Sequence, residues 1–282
     1  MTLTVRTVAG GFVYPECPRW HAGELWFADQ HDGLVHVLGG DLARREHFSV
    51  LGDPSGMGWL PDGDLLVVSM HEQAIYGRHD GELLLHADLS AIHVHHSNDM
   101  VVDASGRAYV GNIGFDFLAG QAPAPTTMAL VSPTGEVSLA TNDLLCPNGA
   151  VITPDGKTLI VAESMAHRLT AFSVDPDGQL SNRSVFASLP GHVPDGICLD
   201  ADGSVWVASP YERVVLKVSQ SGEIIDRVAI ADASPYACML GGADGRDLLI
   251  CCAPHHDPEV TRKARGGRID LVRVQTPGAG WP

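Results

Sequence analysis

The sequence predicts an all-β, six-bladed propeller with four-stranded blades around a central channel, on three observations. One motif recurs six times along the chain, its period suits a four-stranded blade, and the stretches between copies are short strand-like runs. The motif is a polar turn ending in glycine, followed by an alternating apolar strand. Its copies are HAGELWFAD (21–29), PDGDLLVVS (61–69), ASGRAYVGN (104–112), PDGKTLIVAE (154–163), ADGSVWVAS (201–209) and ADGRDLLICCA (243–253). Their glycines, at 23, 63, 106, 156, 203 and 245, are spaced by 40, 43, 50, 47 and 42 residues.

The intervening elements follow in order. LVHVLG, AIYGRH, ALVSPTGEVSLA, LTAFSVD, VVLKVSQSGEIIDRV and IDLVRV read as further short β-type runs between the copies, several broken by Asp-Gly, Thr-Gly or Ser-Gly hairpin signals. Helical periodicity over three or four turns is absent. IGFDFLAGQAPAPTT (113–127) is the longest irregular piece, and its Pro and Ala content predicts a loop over one face. Six blades use the whole chain, so residues 1–282 are expected to form a single propeller domain.

Composition narrows the function. With 45% hydrophobic and 18% charged residues the chain is globular, and its net charge of −16 excludes the basic face that nucleic acid and anionic membranes require. The start, MTLTVRTVAGGFVYPE, lacks the pattern of a secretory signal, and no apolar run is long enough to cross a bilayer. A cytoplasmic location is therefore expected. The six cysteines (17, 146, 198, 238, 251 and 252) contain no CxxC pair and are expected to be buried free thiols.

The repeat also selects a site. Seven to nine residues before each glycine, where the preceding apolar strand begins, stand Glu16, Ser55, Asn98, Asn148, Asp195 and Tyr236; all but Asn98 follow a proline. The first strand of a propeller blade lines the channel, so one register in six blades converges on the axis. Any one of these residues alone reads as an ordinary turn former. Four in one register, two of them carboxylates that repel unless a cation offsets them, form a ring of oxygen donors suited to a hard divalent ion.

Four segments carry a resemblance: YPECPRW (14–20), SNDMVVDASGRAYVGN (97–112), CPNGAVITPDGKTLIVAES (146–164) and VPDGICLDADGSVWVA (193–208). In motif, order and spacing they resemble the SMP-30/gluconolactonase/luciferin-regenerating-enzyme family, and CCAPHHDPEVTRKARGGRIDLVRV resembles its closing segment. The resemblance implies a six-bladed propeller that hydrolyses a small lactone or related ester with one divalent metal in the channel. It assigns Glu16, Asn148 and Asp195 to the metal, Asn98 to the substrate side, and Asp195 to general-base catalysis. Ca²⁺ is the first expectation for the ion, with Zn²⁺, Mn²⁺ and Mg²⁺ as alternatives.

The chain departs from the family pattern at three places. His96 stands where sugar-lactone members carry Arg, Met100 replaces the Gly of the Asn-Asp-Gly motif, and Cys17 replaces the Gly after the metal-binding Glu. His96, Phe115, Asp116 and Tyr236 join Asn98 as candidate substrate contacts, and the Phe115–Phe117 insert predicts a substrate less polar than an aldonolactone. GxSxG, HExxH, GxGxxG and GxxxxGK[ST] are absent. The clusters HVHH (93–96) and HH (255–256) are compatible with zinc, but alternating His on a polar loop more often packs or is solvated. Hydrolysis of other esters or phosphotriesters, a lyase or isomerase on the same ion, and a non-catalytic calcium-binding or scaffold propeller are the competing functions.

Overall fold

A computed structural model describes residues 4–280. Its strands form six four-stranded antiparallel sheets. The innermost strands are Pro15–His21, Pro54–Trp59, Ser97–Val102, Pro147–Ile152, Ile197–Leu199 and Ser234–Gly241. Each touches the next, and the last touches the first, which closes the ring. The six-bladed propeller expected from the repeat is the observed fold.

Within each blade the chain steps outward from the axis, and burial follows. Ala108–Asn112, second in blade 3, is buried throughout, whereas Arg44–Ser49, outermost in blade 1, is nearly all exposed. The core lies between blades. Leu66, Val68 and Ile75 of blade 2 pack against Met100, Val102 and Val110 of blade 3, and Ile160 and Leu169 of blade 4 against Val205 and Val207 of blade 5. Strands with both faces covered read as near-continuous apolar runs, as in TLIVAE and VWVAS.

Two elements were not read from the sequence. Arg6–Phe12 pairs antiparallel with Gly267–Arg273 and becomes the outermost strand of blade 6, so both ends of the chain share one sheet. Its apolar residues are sparse because an outermost strand covers only one face. Pro258–Ala264 forms a short helix, with Asp257 capping the Glu259 amide at 2.8 Å and proline in its first turn. Seven residues are too few to show helical periodicity. Thr261 Oγ1 lies 2.7 Å from His31 Nδ1, and Arg265 pairs with Asp32 at 2.8 Å, so this helix ties blade 6 to blade 1 at the rim.

Glu163, at the end of the second strand of blade 4, is fully buried and ties that blade together. It accepts hydrogen bonds from the Leu145 amide (2.9 Å), Arg168 Nε (2.8 Å), Thr170 Oγ1 (2.5 Å) and Arg183 (3.3 Å). Burial raises its pKa, but the bonds from Arg168, Thr170 and Leu145 outweigh that and hold it below the ordinary value. A depressed carboxyl stabilises the fold above its unfolded pKa and loses that contribution as pH falls through the folded one. Glu163→Gln should therefore lower the unfolding free energy by about 1–3 kcal/mol at neutral pH. The deficit should shrink as pH falls through the ordinary glutamate range and then through the lowered folded pKa, where the wild-type carboxyl also protonates. Urea melts of both proteins at neutral and acid pH measure it; a deficit that does not depend on pH contradicts the account.

Candidate active site at the channel mouth

Convergence of the inner strands explains the Pro-x-Gly motifs. A Cβ on Gly149 would lie 2.5 Å from the Ile197 amide nitrogen, and one on Gly196 would lie 2.3 Å from the Ala237 Cβ. Neighbouring backbones approach so closely there that no side chain fits. The Gly149 amide reaches Asp195 O at 3.3 Å, and the Gly196 amide reaches Tyr236 O at 2.8 Å. Five of the inner strands also break register beside the selected residue, between Glu16 and Arg19, Pro54 and Met57, Ser97 and Met100, Pro147 and Ala150, and Pro235 and Ala237. Such a bulge re-aims one side chain out of the pleat. In blade 5 the regular strand starts only at Ile197, and Asp195 stands just ahead of it.

A cavity of about 450 Å³ opens on the axis, and Glu16, Asn98, Asn148, Asp195 and Tyr236 all line it. Ser55 sits deeper, fully buried, its hydroxyl 3.2 Å from Gln30 Nε2 and 3.5 Å from Cys17 Sγ. Glu16 accepts the Cys17 amide at 2.9 Å, with Cys17 held at φ 47°, the left-handed region where glycine is the easier residue. Asn98 Nδ2 donates to Pro147 O and Asn148 Nδ2 to Ser164 Oγ, both at 3.4 Å. Arg19 is buried beneath, bridging to Asp99 at 2.8 Å and donating to the carbonyls of Pro18, Met57 and Met100.

The electrostatics are dominated by burial. Glu16 is pushed well above the ordinary carboxylate range by desolvation first and then by Asp195. Asp195 is also raised, by desolvation and then by Asp99, against hydrogen bonds from Asn148 and the Gly196 amide. Its Oδ1 is buried without a hydrogen-bond partner. Desolvation, with Asp195 next, raises the Tyr236 hydroxyl, so that phenol stays protonated. Cys146 also lines the cavity at φ 54°; burial pushes its thiol up to about 12, which leaves it unreactive.

The mouth differs from the expectation at one residue. Phe115 is buried and does not line the cavity. The insert turns its ring inward, edge-on to Phe117 at 6.3 Å, and Phe117 and Leu118 reach the cavity instead. Asp116 lines the cavity, while its Oδ1 accepts the Ala119 amide at 2.9 Å. His96 lines the mouth, with Nε2 3.0 Å from His71 Nδ1.

A second ring escaped the sequence reading. The residue directly after each second strand, namely Gln30, Met70, Ile113, Ser164, Pro210 and Pro254, lines the cavity in all six blades. The same glycine alignment that gave the first ring contained it, but mixed chemistry at these positions hid the pattern. Among the described residues no group of three or more His, Cys, Asp or Glu side chains is arranged to hold a metal ion; two of the four oxygen donors on the floor are amides.

Comparison with known proteins agrees with this architecture. Residues 14–254 match the SMP-30/Gluconolactonase/LRE-like region. The chain is 27% identical to a 6-deoxy-6-sulfogluconolactonase of Pseudomonas putida, covering 96% of this chain and 94% of that protein. It is 28% identical to regucalcin of Homo sapiens over 61% of this chain and 60% of that protein. Among solved structures, a luciferin-regenerating enzyme superposes with a TM-score of 0.85 at 20% identity, covering 98% of this chain and 97% of the other. A calcium-binding regucalcin from Agrobacterium tumefaciens gives 0.80 at 22% identity, covering 97% and 96%. With six blades, the shared register and a family match across most of its length, the chain belongs to the SMP-30/gluconolactonase/luciferin-regenerating-enzyme family.

Proposed function

We propose that this protein is a lactonase that opens a small lactone by attack of water, dependent on one divalent cation at Glu16, Asn148 and Asp195. The observation that carries the proposal is the pair of buried carboxyls on the cavity floor, one with an orphaned oxygen. Two such groups resist ionising together, and a cation between them removes the conflict. The amides fit as well. Asn98 and Asn148 direct their nitrogens at protein acceptors, and no donor among the described residues meets their carbonyl oxygens. The donor set is all oxygen, which suits Ca²⁺ before softer ions.

When bound, the ion keeps both carboxyls ionised and polarises the lactone carbonyl as a Lewis acid. The chain supplies the remainder. Asp195 accepts a proton from the attacking water and returns it to the ring oxygen as the carbon–oxygen bond breaks, which gives the hydroxy acid. Asn98 orients the substrate from the adjacent blade, and Tyr236, protonated, is available as a hydrogen-bond donor. The relatives named gluconolactonase and sulfogluconolactonase support the lactone as the reacting group.

The substrate is less polar than an aldonolactone. His96 takes the place of a guanidinium, whose paired donors an imidazole does not reproduce. Phe117 and Leu118 add apolar surface at the mouth, with Leu118 62% exposed in a position to meet a substrate.

Turnover of a lactone panel should vanish in chelator and return with added Ca²⁺, and Asp195→Asn should lower it by about 10²–10⁴-fold. In chelator the same variant should melt above the wild type, because one of two opposed carboxyls is gone. A variant that keeps wild-type turnover removes Asp195 as the base; a chelated variant that melts lower removes the repulsion account. Aliphatic γ- and δ-lactones should give a higher kcat/KM than gluconolactone. A tenfold preference for gluconolactone, about 1.4 kcal/mol at the transition state, would overturn the apolar assignment.

A further inference from the structure

His96 does not stand alone at the mouth. Asp53, His71 and His96 all line the cavity and form one hydrogen-bonded row. His71 Nε2 lies 3.2 Å from Asp53 Oδ2, and His71 Nδ1 lies 3.0 Å from His96 Nε2. The row runs from the segment before the inner strand of blade 2, across the loop after that blade's second strand, to the segment before the inner strand of blade 3. Backbone bonds fix each member. The Met70 amide donates to Asp53 O at 2.9 Å, the His71 amide to Gly52 O at 2.9 Å, and the Ile113 amide to His96 O at 2.9 Å.

Proton accounting settles what each ring can do. An ionised carboxylate only accepts, so His71 carries hydrogen on Nε2. Its Nδ1 and the His96 Nε2 then share one hydrogen, whichever ring owns it. His96 Nδ1 is the ring nitrogen left to a ligand. Burial first, then His71 and His95, lower the His96 pKa to about 4, while the Asp53 hydrogen bond raises that of His71. The charged and titratable groups facing the row are His31 and Arg262 around Asp53, with Arg262 3.7 Å from the same Oδ2, Glu72 around His71, and His95 and Asp116 around His96.

We propose that Asp53 and His71 are positioning residues that hold His96 with Nδ1 toward the substrate, and that His96 reads one oxygen substituent beside the lactone ring. The inference rests on the lactonase reading for its substrate, though not for the row itself. A guanidinium fork addresses two neighbouring oxygens; one ring nitrogen addresses one. The substrate class is thus a lactone with a single hydroxyl or carbonyl substituent, not a polyhydroxylated ring.

The test compares α-hydroxy-γ-butyrolactone with γ-butyrolactone in the wild type, Asp53→Asn, His71→Gln, His96→Gln and the Asp53→Asn/His96→Gln double variant. Asp53 has φ 62°, and asparagine tolerates that left-handed conformation, so the first variant keeps the backbone while losing the obligate acceptor. The wild type should favour the hydroxylated lactone by about tenfold in KM, the worth of one net hydrogen bond. Each single variant should bring that ratio towards unity, and the double variant should go no further than His96→Gln. Equal KM values in the wild type overturn the assigned substituent. A ratio retained in Asp53→Asn and His71→Gln, or effects that multiply with His96→Gln, overturn the positioning role. Imidazole ¹⁵N–¹H spectra read the row without turnover: His96 should hold one tautomer in the wild type and a mixture in Asp53→Asn, and identical spectra overturn it. A wild type that opens neither lactone with any divalent ion defeats the lactonase reading, and the spectra still decide the row.

Discussion

Where six strands converge on one axis there is no volume for a side chain at every position, and the rest of the site follows from that limit. Gly149 and Gly196 sit where a Cβ would press into the next strand at 2.5 Å and 2.3 Å. The chain relieves the crowding by breaking register, which turns the residue before the glycine toward the axis. Blade 1 solves the same problem with Cys17 at a positive φ. Blade 3 does so with Asp99, whose carboxylate is taken up by Arg19. The polar ring is therefore a by-product of packing geometry, available in every blade and filled with donor groups in four of them.

Charge on the floor is compensated within the protein at one carboxylate and opposed at two others. Arg19 acts to lower the Glu16 pKa, against larger opposing causes. Its donors are already engaged, however: Nε on Met57 O, Nη1 on Pro18 O, and Nη2 on both Asp99 and Met100 O. A guanidinium held by three carbonyls and one carboxylate cannot turn toward a second carboxylate without leaving buried acceptors unpaired, which costs about 1–3 kcal/mol each. Asp99 is thus balanced within the protein, while Glu16 and Asp195 face each other without a cationic side chain turned toward them.

The floor was legible in the sequence because one constraint acts on it six times. Glu16, Asn98, Asn148, Asp195 and Tyr236 were found from spacing, and each lines the cavity. Repetition fails as a guide where an element occurs once. The strand Arg6–Phe12 completes blade 6 from the other end of the chain, so nothing local marks it. The helix Pro258–Ala264 is too short for a period, so it leaves no helical signal in the sequence. Phe115 and Phe117 are two residues apart in a loop, where strand alternation does not decide which ring turns inward. Gln30 and Ser164 obey the repeat, yet their neighbours in the ring are Met, Ile and Pro, so chemistry gave no common signal.

That difference divides the molecule by function. The floor is built from inner strands, whose side chains cannot be exchanged without disturbing the neighbouring blade. The rim is built from loops before the inner strands and after the second strands, where backbone hydrogen bonds fix the chain but side chains meet open space. Tyr14 stacks on His31 at 4.2 Å, His255 on His256 at 4.5 Å, and Phe117 meets His256 at 5.2 Å, so ring contacts add to the hydrogen bonds and ion pairs that hold the rim. Such contacts are worth about 0.5–1.5 kcal/mol each, small beside the packing between blades. Residues at the rim can therefore change the shape and hydrogen bonding offered to a ligand at little cost to packing between blades.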